Sequence, residues 1–196
     1  MRTHFGRDAL MSALARCFVK AGLRISAGLA FALALSACFA SETELVGYWG
    51  ADRPVAEGVY THTPTHPDGL EWDRPTWSGS IGLSQRRYVS DAENFPHQNA
   101  RFHALFDNVY IVQSPREDGV GYGLAFVYED GALVTYHQPS CSDVSEAVLE
   151  RASVVLDAEG YCPIHDLDQL TTLMRALYVA QDGQLRIDGV YRRVSD

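Results

Sequence analysis

The dipeptide Asp130-Gly131, set between two apolar runs, constrains the fold of this chain more than any other feature. Asp-Gly favours the left-handed backbone that a tight hairpin turn needs, so the flanking runs pair as antiparallel strands. Those runs cover residues 122–129 and 132–138, and a third, 105–113, precedes them across the turn residues Pro115-Arg116-Glu117-Asp118-Gly119. Three such runs in sequence read as a meander. In the middle run Tyr122, Leu124, Phe126 and Tyr128 share one face and Gly123, Ala125 and Val127 the other. Both faces are apolar, so this strand is expected to be central and covered on both sides.

Downstream the apolar period changes. Leu167, Leu170, Leu173, Met174 and Leu177 recur at three and four, one face of a helix. Asp166-x-x-Gln169 opens it with a capping-box spacing and Gly183 stops it. Asp143-x-x-Glu146 has the same spacing and predicts a shorter helix, with Val144, Ala147 and Val148 inward. Further strands are expected at 45–49, 58–62, 80–89, 153–157 and 185–194. Between 51 and 77 the dipeptides Arg53-Pro54, Thr63-Pro64, His66-Pro67, Asp68-Gly69 and Arg74-Pro75 are turn chemistry. The expected fold is α+β: an antiparallel meander-like sheet or partly open barrel, with two helices packed on one side.

The first 37 residues have a different character. Arg2, Arg7, Arg16, Lys20 and Arg24 face a single acid, Asp8, and an uncharged apolar run follows over 25–37. That is the order of a secretory signal. The run is shorter than the roughly 20 residues a membrane-spanning helix needs. It closes on Leu35-Ser36-Ala37-Cys38, which resembles the lipobox of bacterial lipoprotein signal peptides. The resemblance implies that residues 1–37 are a removed signal peptide and that Cys38 is the lipidated first residue, carrying palmitate or a similar acyl chain. Residues 38–44 would then be a lipidated tether and 45–196 a single globular domain. Cys17 is a poorer match because Arg16 precedes it, and Met11 is an alternative start that leaves a shorter leader. Phe39, rather than Asp, follows the cysteine. In the enteric lipoproteins this resembles, that favours the outer membrane over the inner. A multi-acyl anchor is needed because one chain binds only marginally, at about 0.8 kcal/mol per buried CH₂.

Without the leader the charge is more negative. Of 16 basic and 25 acidic residues the leader holds 5 and 1, which leaves 11 against 24 and a net charge near −13. Lys20 is the only lysine, so the mature chain has no residue for a Schiff base or a P-loop. The acidity argues against nucleic acid, which is bound through basic patches. Two cysteines remain, Cys141 and Cys162, one ahead of each expected helix. In an oxidising envelope the pair reads as a disulfide, two free buried thiols being the alternative.

No pattern of residues assembles a catalytic or metal site. His62-x-x-x-His66 has ligand spacing for a helix, but Pro64 and Pro67 forbid one, and His97 and His103 would have to come from elsewhere. Gly119-x-Gly121-x-Gly123 leads into a strand, not a helix N-terminus, and reads as a hairpin turn. Ser78-Gly79-Ser80-Ile81-Gly82 is not a nucleophile elbow. Tyr128, Tyr136 and His137 near Asp107 would line a cleft only if the sheet brought them together, and a packed face with solvated polar tips is the simpler reading. The stretch Leu45-Val46-Gly47-Tyr48-Trp49 resembles the G-x-W signature of lipocalins and related barrels. That likeness implies a barrel-floor role for Trp49, with Arg192 or Arg193 stacked on it; otherwise Trp49 is a core anchor. The chain departs from the family in lacking a later Thr-Asp-Tyr and in placing its long helix before the last strand. The function expected is that of a membrane-anchored envelope lipoprotein without catalytic activity. Its role would be structural or partner-binding in the periplasm, with an envelope protein as partner and no cofactor. The alternative is a calycin-like carrier of a small apolar ligand, and a hydrolase ranks third.

Overall fold

Ten strands of the described residues join one large, mostly antiparallel sheet that does not close, and two helices accompany it. The computed structural model describes residues 39–158 and 160–194. The strands are β1 (Phe39–Ser41), β2 (Gly58–Pro64), β3 (Trp77–Ser84), β4 (Arg87–Val89), β5 (Arg101–Ala104), β6 (Val109–Arg116), β7 (Gly119–Tyr128), β8 (Leu133–His137), β9 (Cys162–Pro163) and β10 (Gly189–Arg193). The helices are α1 (Glu146–Arg151) and α2 (Leu167–Ala180).

The α+β class is as expected, and β7 is its organising strand. It pairs along its length with β6 on one edge. On the other edge it meets β8 through residues 124–128 and β1 through Tyr122, Gly121 and Val120. From β7 the sheet runs through β8, β10, β2 and β3 to β4 in one direction and through β6 to β5 in the other. These two ends come back together. Tyr88 of β4 and Ala100, next to β5, form an isolated bridge, with Tyr88 N donating to Ala100 O at 2.9 Å. The sheet is therefore curled, and it has an inside and an outside.

Each side carries its own apolar core. The inside packs Val55, Tyr60, Trp77, Ile81, Tyr88, Phe95, Phe102, Val112, Ala125, Val127, Val134 and Tyr191. Outside, Phe39, Ile111, Tyr122, Leu124 and Phe126 pack against Leu149 of α1 and Leu170, Leu173, Met174 and Leu177 of α2. Period-two alternation along β7 sends Leu124 and Phe126 outward and Ala125 and Val127 inward. Strand β7 is thus covered on both faces, as its sequence implied, although Tyr128 at its end is exposed.

The turns explain the register. Glu129, Asp130 and Gly131 all have positive φ, at 53°, 51° and 92°, so the β7–β8 reversal spans three left-handed residues rather than two. Helix α2 starts as expected, with the Asp166 side chain accepting from Gln169 N at 2.7 Å, and Gly183 follows it at φ 71°.

Several expectations fail for physical reasons. Residues 80–89 are not one strand: Gln85 and Arg86, at φ 51° and 60°, make a tight turn between β3 and β4. The run 105–113 breaks at the turn joining β5 to β6. Residues 45–49 and 153–157 form no strand. The 45–49 segment instead crosses the outside of the sheet, where Gln113 Oε1 accepts from Leu45 N at 2.9 Å and Val46 N at 2.7 Å. Asp143 does not cap α1; Ser145 is its N-cap, and Asp143 accepts from Ser140 N at 2.7 Å in a preceding 3₁₀ turn. Residues 39–44 are not a slack tether. Their first three form β1, and Phe39 is 0% exposed, because an aromatic side chain beside Tyr122 completes the outer core. Cys38 lies outside the described residues.

Candidate functional site

The most chemically distinctive place in the described residues is the inside of the curl near the start of β10. Alternation along β2 turns Tyr60 and His62 inward together, and Trp77 of β3 and Tyr191 of β10 face the same space. The loop between β4 and β5 then brings Phe95 and His97 over it. His97 Nδ1 and the Tyr191 hydroxyl share a hydrogen bond of 2.6 Å. The His97 ring lies 4.1 Å from that of Tyr136 by centroids, and the His62 ring 4.5 Å from that of Tyr191. Trp77 meets Phe95 at a tilt, with ring centroids 4.8 Å apart.

Burial sets the charge state of this cluster. It pushes the His62 pKa down to about 4 and that of His97 to about 3, with the neighbouring His62 adding to the second shift. Tyr191 moves the other way, upward, again through burial. At neutral pH the cluster therefore holds uncharged imidazoles and a protonated phenol. His62 Nδ1 and Trp77 Nε1 are buried without a hydrogen-bond partner. Gly189 faces His62 Nε2 so closely that a side chain at 189 would collide with the ring.

Beside this cluster is a cavity lined by Val55, Ile81, Tyr88, Phe102, Tyr136 and Tyr191, among others, of only about 30 Å³. That is room for a water molecule or two. It is roughly a tenth of the 300 Å³ at which small-molecule pockets begin. The curl is filled by its own aromatic side chains.

The residues singled out from sequence are scattered. His66 stacks on Trp72 at 5.8 Å in the β2–β3 loop, and His103 Nδ1 meets Gly50 O at 2.9 Å, so neither joins His62 and His97. Among the described residues no group of three His, Cys, Asp or Glu side chains is placed to hold a metal. Tyr136 faces inward to His97, whereas His137, next along β8, packs against Phe126 of the outer core at 4.4 Å, and Tyr128 is exposed. Those three make no common cleft with Asp107. Gly119, Gly121 and Gly123 lie along β7 and hold no helix N-terminus.

Trp49 is neither a barrel floor nor a core anchor. It is 87% exposed, edge-on to Tyr48, with the guanidinium of Arg86 over both rings. Arg192 does not stack on it but pairs with Glu71 through two contacts of 2.6 Å. Cys141 and Cys162 stand at disulfide distance, with Cα atoms 5.9 Å apart.

Two features escaped the sequence reading. One is the His62–His97–Tyr191 cluster; the alternation of Tyr60 and His62 was visible, but the partner loop was not. The other is Glu44, whose carboxylate accepts from Arg87 at 2.6 Å and from Arg101 at 2.8 Å, joining β4 to β5. No family model matches the chain, and no curated protein or solved structure matches it.

Proposed function

We propose that this chain is a membrane-anchored envelope lipoprotein without catalytic activity, with a structural or partner-binding role in the periplasm. The observation that carries the reading is Leu35-Ser36-Ala37-Cys38 at the end of an uncharged apolar run behind a basic leader. On this reading Cys38 is the acylated first residue, the domain faces the periplasm, and Phe39 after the cysteine favours the outer membrane. Cys141 and Cys162 are bridged, as an oxidising compartment allows. The curled sheet is a partly open barrel with both helices on its outer side. Its small interior cavity supports contact through the surface over carriage of a ligand within. The exposed Trp49, Leu70 and Trp72 are surface groups such contact can use.

Metabolic labelling with a fatty acid tests the anchor: label enters the wild-type chain and is absent from Cys38→Ala. Label retained in that variant removes the lipobox reading. Mass spectrometry of proteins and lipids that co-purify with the mature domain then separates the two roles. An envelope protein in stoichiometric yield supports the interaction role, and a stoichiometric small lipid supports the carrier.

A further inference from the structure

We infer that the mature domain has almost no slack between its lipid and its sheet, and that Val155 and Leu156 lie against the bilayer. The inference rests on the anchor reading of Cys38. That cysteine directly precedes Phe39, and consecutive Cα atoms are about 3.8 Å apart. Phe39 is buried and held on both sides, opposite Tyr122 of β7 and beside Cys162 of β9. The next residues secure the strand. Ile164 N donates to Ala40 O at 2.7 Å, and the Ser41 and Tyr122 hydroxyls meet at 2.6 Å. An acyl group on Cys38 therefore begins one residue from a packed strand, and the fold must approach the membrane as closely as the lipid does.

The register says which surface approaches. Strands β1 and β9 are parallel, so the chain comes to Phe39 from the same side as Tyr161 comes to Cys162. On that side lies the turn from Asp157 to Tyr161. Asp157 N donates to Tyr161 O at 3.0 Å, and Asp157 Oδ1 accepts from Tyr161 N at 2.7 Å. The limb leading into this turn is held by these two hydrogen bonds beside the residue that enters β9, the strand paired with the start of β1. It carries Val155 and Leu156, adjacent aliphatic residues that are 79% and 42% exposed, while Val154 before them is in the outer core. Two large aliphatic side chains in water beside a lipid attachment point gain by entering the headgroup and acyl boundary. The mature chain is strongly acidic, so the contact is apolar and needs no anionic lipid.

The test uses the lipidated full-length mature protein in phosphatidylcholine vesicles, after its N-terminal mass has been measured. Nitroxide labels are placed at Val155→Cys and, in a second variant, Leu156→Cys, with Trp49→Cys as the reference. Labels at 155 and 156 should collide with dissolved oxygen several-fold more than with a water-soluble nickel chelate, relative to the label at 49. Preference for the chelate at both positions, in protein whose N-terminus carries acyl groups, overturns the inference and leaves the anchor reading standing. An N-terminal mass without acyl groups removes the anchor reading and this inference with it.

Discussion

Glu44 accepts from Arg101 at 2.8 Å, and that contact fastens the seam where the curled sheet fails to close. The same carboxylate oxygen takes Arg87 at 2.6 Å. Arg87 belongs to β4 and Arg101 to β5, the two ends of the ladder, which otherwise share one isolated bridge. Arg101 is buried, and its guanidinium is compensated there by Glu44 and by Val46 O, which accepts from the same nitrogen at 3.0 Å.

The Arg87 hydrogen bond is the largest of the effects holding the Glu44 carboxyl below its ordinary pKa; partial burial opposes it. A carboxylate with a lowered folded pKa stabilises the fold in full above its unfolded value, about 4.3, and loses that contribution as pH falls through the folded value. Glu44→Gln should therefore cost about 1.5–3 kcal/mol at pH 7, the range for hydrogen bonds to charged groups. The difference from wild type should shrink below pH ~4. Urea midpoints from pH 3 to 7 measure it, and a difference independent of pH would show that the ion pair is not its source.

Gly131 is the second closure. Its carbonyl accepts from the Tyr60 hydroxyl at 2.6 Å and from Ala56 N at 3.3 Å, bringing the segment before β2 against the β7–β8 turn. A Cβ at 131 would lie 2.5 Å from Ala56 N and 2.6 Å from Pro54 O, at φ 92°. Gly131→Ala should thus destabilise by more than about 2 kcal/mol, combining backbone strain with a clash that flexible side chains cannot relieve. Gly47→Ala, where nothing lies within 4 Å, is the control and should be near neutral. Equal thermal midpoints for the two variants would refute the close approach.

Strand β7, the β7–β8 turn and α2 were legible because each is specified locally: alternation on two faces, an Asp-Gly turn, and a capped three-four period. The curl was not, since it depends on pairing residues far apart in the sequence, such as Thr135 with Val190 and Thr61 with Arg192. Trp49 misled because a three-residue signature says nothing about the side chains available to cover it. His62 lies in the strand expected over 58–62, but the burial of its ring was not legible. The prolines at 64 and 67 do rule out a helix, but a strand ending at Pro64 is compatible with them and carries the ring inside.

Leu173 of α2 is fully buried among outer-core residues from the sheet and both helices. Leu173→Ala should cost about 2–5 kcal/mol, the transfer and cavity terms together. Val179→Ala on the exposed side of the same helix should change stability by less than about 0.5 kcal/mol. Equal shifts in the denaturation midpoint would place the helix on the surface.

The bridge from Cys141 to Cys162 would close a loop of sequence separation 21, from the 3₁₀ turn before α1 to β9 beside β1. By loop-closure entropy it adds about 3 kcal/mol. Non-reducing peptide mapping of protein from the envelope should recover the two cysteine peptides joined, and reduction should lower the thermal midpoint. Two thiols free to alkylate in native, unreduced protein would remove the bridge.

His62, His97 and His137, whose pKa values burial lowers, give the fold a second pH dependence, separable from that of Glu44. In the unfolded chain an imidazole takes its proton near pH 6.5. In the fold His62 and His97 resist protonation until about pH 4 and about pH 3, because burial disfavours the charged ring. Between those values the unfolded state binds more protons. The stabilisation is thus complete above pH ~6.5 and is lost as pH falls toward the folded values, with a limiting slope of about 1.4 kcal/mol per pH unit for each ring. Glu44 contributes only from about pH 4.3 downward, so loss of stability between pH 6.5 and 5 belongs to histidine. His62→Gln and His97→Gln should each flatten that part of the curve, whatever they do to stability at pH 8. Tyr191→Phe, which removes the 2.6 Å partner of His97 but titrates nothing in this range, should lower the whole curve without flattening it. Proton NMR gives the direct reading: the imidazole resonances of His62 and His97 should stay at their neutral positions down to pH 5. A midpoint near 6.5 for both rings in the folded protein would show that the cluster is open to water.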